Sequence, residues 1–340
     1  MGFIPLLIAY FTNFSDNAFI LIKKIAFYSL IPSIFNIIFL LKYEWRKMLY
    51  AYLKHGIINP IRNLINYGIK RMPVPICLGI MYSGGAIALN NSRAHEASGY
   101  FLAALFIIRI LEQAVGPVAV VMLPKLSKIV GKKNHYGVRY YTLNVFEYTL
   151  TVGLFFTIQI IILSNYLINL IYGSEYEQSI AAFRILAIAI VPVLFFSLTQ
   201  TIIDAITEKG MVLLAVVLGM SISLLGFSII KMQTAETAAW LFVISISLSS
   251  TIMYCYLIWV LEINPIPQDI IEILIANIIS GFFCFLISNL LKMMELPFFV
   301  VLVGSFLLSI IVYFYVSLKF KLNLPTKCIS FIAEYRSNAS

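Results

Sequence analysis

Apolar runs of about 20 residues recur along the whole chain, the length of helix needed to cross a hydrocarbon core of roughly 30 Å. Short polar interruptions separate ten of them, at about 2–21, 25–41, 74–92, 99–122, 146–165, 180–203, 211–231, 237–260, 270–291 and 297–318. This pattern predicts an all-α fold, a polytopic transmembrane helical bundle of about ten spans. The first span is the most interrupted, by Asn13, Asp16 and Asn17. Between 43 and 73 the period changes. Trp45, Met48, Leu49 and Tyr52 fall at i, i+3, i+4, i+7 with Arg46, Lys47 and Lys54 opposite, which predicts a helix lying in the membrane interface with its cations toward anionic headgroups. Pro60, Pro73 and Pro75 then break the chain. The segment 166–179 is apolar and then acidic, with Gly173 as a helix stop.

Composition sharpens this picture. Mean hydropathy is +0.95 and 11 % of residues are charged, against about 25 % in soluble domains, so a water-soluble globule is excluded. Alternating the ten spans puts 17 of the 24 cations in loops on one side and 5 on the other, with Arg109 and Arg184 inside spans. That bias predicts a multi-pass protein of the inner (plasma) membrane with both termini cytoplasmic. Lys125, Lys128, Lys132, Lys133 and Arg139 follow Pro124, read here as the end of a helix, and they mark the cytoplasmic side. The net charge of +9 therefore gives nucleic acid little support as a partner.

Cys77, Cys255, Cys284 and Cys328 show no metal or disulfide spacing, and His55, His95 and His135 are read as loop residues. No HExxH, GxSxG or nucleotide-binding glycine loop occurs. No cofactor or metal is expected. The longest loop on the outer side is too short for a catalytic domain, so an enzyme is not expected either. No basic region precedes the first apolar run, and the start does not read as a signal peptide.

The candidate chemistry lies within the membrane. Arg109, Glu112, Gln113 and Gly116 fall at i, i+3, i+4, i+7 and share one face of an apolar helix. Counted from Gly99, Arg109 lies about 15 Å deep, mid-bilayer, where a guanidinium costs about 2.5–3.5 kcal/mol on insertion scales. Two readings stand: an i,i+3 ion pair that cancels itself and packs the bundle, or the wall of a transport cavity. Pro117 should bend the helix near this level. Arg184 can snorkel to the outer interface or contribute to substrate binding. Asp16 suits proton or sodium coupling if the first span is real. Gln200, Asp204 and Glu147 read as interfacial, and "YSGGA" at 82–86 as a close helix approach or a flexible point.

Several segments together resemble one family. They are "LINYGIKRMPVP" (64–75), "ASGYFLAALFIIRILEQAVGPVAVVMLPKLSKI" (97–129), "LIYGSEYEQSIAAFRILAIAI" (170–190) and "ITEKG" (206–210). Their order and spacing resemble polysaccharide flippases of the multidrug/oligosaccharidyl-lipid/polysaccharide (MOP) superfamily, with Lys70 standing where those proteins often have proline. The resemblance implies a MOP/MATE-like second lobe of six helices at 74–260 and an interfacial linker at 43–73. A two-span remnant of the first lobe would occupy 1–42, and two further spans with a cytoplasmic tail 261–340. Family members have 12 or 14 spans, so about four are expected to be lacking ahead of the linker.

The resemblance also implies a function: flipping of a lipid-linked oligosaccharide across the cytoplasmic membrane during cell-surface polysaccharide synthesis. Alternating access driven by an ion gradient or the membrane potential would power it. Arg109 would meet the anionic headgroup, and Glu112 and Gln113 would tune it or touch sugar. The expected partners are the lipid-linked substrate, membrane lipids, and a polysaccharide polymerase and glycosyltransferases. The alternatives are a multidrug or metabolite exporter of the same superfamily and a truncated, non-transporting membrane protein.

Overall fold

The structure is a computed structural model that describes residues 68–322 apart from 70, 133, 208–209, 232, 263–268, 295–296 and 321. The chain divides into two units, Met1–Gly68 and Ile69–Ser340, and the described residues belong almost wholly to the second. The spans expected at 2–21 and 25–41, Asp16 and nearly all of the linker at 43–73 lie outside the described residues.

Among the described residues the fold is all-helical. Its helices are α1 (Pro73–Asn91), α2 (His95–Gly131), α3 (His135–Tyr172), α4 (Ser179–Ile188), α5 (Ile190–Ile206), α6 (Met211–Ile229), α7 (Ala235–Leu261), α8 (Ile270–Met293) and α9 (Phe298–Lys319). Seven of them are long and apolar enough to cross a membrane, and α4 with α5 makes an eighth if that pair, bent by 42°, is one span. Each of the eight spans expected between 74 and 318 therefore coincides with a helix or with this pair.

The departures have identifiable causes. α2 does not end at Pro124. It runs through Pro117 and Pro124 to Gly131, and α3 begins at His135, where the Asn134 side chain accepts from Gly137 N at 2.9 Å. The expected basic loop at 123–145 is thus two helix ends and a tight turn. Lys125, Lys128 and Arg139 continue helices of 37 and 38 residues beyond their apolar parts. His95 and His135 are accordingly first residues of helices, not loop residues. At the other end, α3 continues to Tyr172, and Gly173 stops it with φ of +84°. The expected span at 180–203 is broken at Ala189, because Pro192 has no N–H to offer the Ile188 carbonyl.

Packing follows the small residues. A Cβ at Gly84 would sit 2.6 Å from the Phe227 ring of α6, and one at Gly85 within 3.2 Å of Phe101 of α2 and Ala238 of α7. The Gly-Gly pair is therefore a close approach that sets α1 against three neighbours. Phe146 of α3 meets Phe195 of α5 at 5.6 Å and Tyr254 of α7 at 4.7 Å. These contacts belong to one apolar core shared by α1 to α7. A second, smaller cluster of Phe155, Ile273, Ala276, Tyr313 and Leu322 ties α8 and α9 to α3.

Candidate functional site

The face at i, i+3, i+4, i+7 exists on α2, and its partner is on α1. Tyr82, 6 % exposed, donates its hydroxyl to Glu112 Oε2 at 2.7 Å. The Arg109 guanidinium lies over the same ring, 4.7 Å from its centroid. Arg109 and Glu112 do not pair with each other, so of the two readings the self-cancelling ion pair does not form. Both are instead held by one aromatic side chain, which is itself fixed against Phe242 of α7 at 5.1 Å.

This arrangement has chemical consequences. Among the described residues no side chain or carbonyl accepts a hydrogen bond from the guanidinium, and Arg109 is exposed with no carboxylate partner there. Glu112 is half-buried and Gln113 exposed. Pro117 cannot donate to the Gln113 carbonyl one turn back, so that acceptor joins the Gln113 amide on the same face. A cation, an amide and a carbonyl next to a bonded carboxylate can contact an anionic group and hydroxyls together.

One turn further along this face a cleft of about 660 Å3 opens between α2 and α3. Pro117 and Val121 line it on one side, and Tyr140, Tyr141, Asn144 and Tyr148 on the other. Lys125 lies over the Tyr141 ring at 5.0 Å. At the opposite end of the bundle a more polar cleft of about 740 Å3 is lined by Arg93, Glu96, Glu177, Gln233 and Glu236, among others.

Arg184 is not part of the Arg109 face. Its Nε donates to Ser164 Oγ at 2.8 Å and its Nη2 to Asn165 Oδ1 at 3.0 Å, which pins α4 to α3. Asp204 is paired: Arg71 reaches its Oδ1 at 3.0 Å and its carbonyl at 3.2 Å. Glu147, expected at the interface, is only 9 % exposed, because α3 starts eleven residues earlier than the expected span and carries it into the bundle. Among the described residues no three His, Cys, Asp or Glu side chains gather in a way that could hold a metal ion.

Tyr82 is the residue that sequence reasoning missed. Helical spacing connects residues of one helix, and nothing in that spacing tells which residue of another helix will face them. The one signal was its place beside Ser83-Gly84-Gly85, where α1 comes close to its neighbours. No protein-family model matches the chain, and no curated protein matches it significantly.

Proposed function

We propose that this chain moves an amphipathic, anionic substrate across a membrane, a lipid-linked oligosaccharide in the manner of the MOP flippases its segments resemble. The observation that carries this reading is Arg109, an exposed guanidinium at mid-helix in an apolar span, supported by the Tyr82 ring and with no hydrogen-bond acceptor among the described residues. A charge placed so expensively is a mark of a substrate or ion path. Arg109 would hold the phosphate of the headgroup, with Gln113 and Glu112 contacting hydroxyls. The substrate would enter from the cytoplasmic side, where the basic ends of α2 and α3 favour an anion. The lipid tail would stay in the bilayer. Nothing in this reading calls for nucleotide hydrolysis, and the membrane potential or an ion gradient would supply the work.

The test is expression in a strain that lacks its own flippase and accumulates lipid-linked glycan. The wild-type chain is expected to relieve the accumulation. Arg109→Ala should abolish relief at equal membrane abundance, and Arg109→Lys should retain part of it. Unchanged relief by Arg109→Ala would remove Arg109 from the reading, and no relief by the wild type would count against the flippase itself.

A further inference from the structure

The contact between α3, α8 and α9 combines the apolar cluster around Phe155, Ile273 and Ala276 with a run of buried polar side chains. Every buried residue of α9 after Val301 is polar or carries a hydroxyl: Ser305, Ser309, Tyr313 and Ser317, at intervals of four. Facing them, α8 buries Asn277, Ser280, Cys284 and Ser288. Residues at the same four-residue interval on α3 are Glu147, Thr151, Phe155 and Gln159, all buried. Gly281 lets α3 and α8 approach closely, since a Cβ there would collide with Ile158. One hydrogen-bond relay crosses all three helices: Gln159 Nε2 donates to Ser280 Oγ at 3.1 Å, and Ser280 Oγ donates to the Ser309 carbonyl at 3.0 Å.

The relay does not satisfy the seam. Gln159 Oε1, Asn277 Oδ1, Ser305 Oγ, Tyr313 OH and Ser317 Oγ have no hydrogen-bond partner among the described residues. All five side chains are more than nine-tenths buried. Ser317 and Thr151 lie near the Tyr313 hydroxyl without a well-formed bond to it, and Glu147 is within its electrostatic reach. Buried polar groups that share a seam without fully satisfying one another are the arrangement that a bridging water completes. Buried polar atoms in folded proteins almost always find protein or water as a partner, and a buried water takes about 2–4 such groups.

We propose that the α3–α8–α9 interface is an internal water-binding seam, in which ordered water links these side chains over about 18 Å of the bundle and reaches the Glu147 carboxylate. The ligand is water, and the charge it can deliver is a proton, to or from Glu147. This inference is independent of what Arg109 binds.

Hydroxyl-radical footprinting of the wild-type chain in lipid nanodiscs tests it, because radicals made from ordered water mark the side chains beside that water. Tyr313 and Cys284, the latter beside Ser309, are reactive reporters at neighbouring turns of the seam, 5 % and 0 % exposed. Phe183 and Met253, 0 % and 1 % exposed, are controls in the apolar core. After correction for intrinsic reactivity, both reporters should be marked about tenfold faster than the controls if water lies against them. Marking of both at the rate of the controls would show a dry interface and overturn the proposal. Marking of Tyr313 alone would overturn it too, since the water would then not extend the single turn to Cys284.

Discussion

At the scale of single residues, Tyr82 decides how Arg109 and Glu112 behave. Its ring supports the cation and its hydroxyl satisfies the anion, so the two functions separate by substitution. Tyr82→Phe keeps the ring and strands the half-buried Glu112 carboxylate, at a cost of about 1–3 kcal/mol. Tyr82→Leu loses the cation–π support as well, about 0.5–1 kcal/mol more. Thermal unfolding in detergent should rank wild type above Phe above Leu, and a Phe variant as stable as the wild type would show that the hydroxyl bond contributes nothing. Arg184 makes the contrast clear. Both arginines lie in apolar spans, yet one has its N–H groups on Ser164 and Asn165 and the other does not. Replacing Arg184 with Ala is therefore expected to lower the unfolding temperature while leaving the proposed transport by the folded fraction unchanged.

At the scale of helices, close approach is the organising fact. The Cβ of any larger residue at Gly219 would run into Ser249 Oγ and stand 2.7 Å from the Ser245 carbonyl, so Gly219→Val should force α6 off α7. Overpacking of this kind costs about 1–3 kcal/mol or more, and reduced membrane yield together with a lower unfolding temperature is the expected readout. The seven described helices long enough to cross a membrane, and the bent α4–α5 pair, were legible from the sequence because each is an apolar run of bilayer length. Helix ends were less so. Pro124 was read as a stop, but a proline removes one hydrogen bond and leaves the next turn free to continue when neighbours hold it, and here α2 carries on to Gly131. The break at Ala189 had its cause in plain view at Pro192, yet an unbroken run of hydropathy hides a 42° bend. The face on α2 could be read from its own spacing. Tyr82, the burial of Glu147 and the Arg71–Asp204 pair could not, since each depends on which helices become neighbours.

At the scale of the whole molecule, the two ends of the bundle differ in character. One carries the basic turn between α2 and α3, and the other a cleft with Glu96, Glu177 and Glu236. The bias of cations predicts that the basic end faces the cytoplasm. In a chain whose four cysteines are replaced by Ala, Asn134→Cys should react with a membrane-impermeant thiol reagent only in inverted vesicles, and Gln233→Cys only in intact cells. The reverse labelling would invert the topology and with it the direction of the proposed transport. The continuity of α2 past its prolines also has a mechanical side. From Pro117 to Gly131 the helix projects about 21 Å, so a tilt of roughly 10° at Pro117 sweeps its tip through about 4 Å. A change beside Gln113 too small to measure there would be magnified at the turn, which makes Lys132 and Asn134 the natural place for a spectroscopic pointer on the motion of the Arg109–Gln113 face.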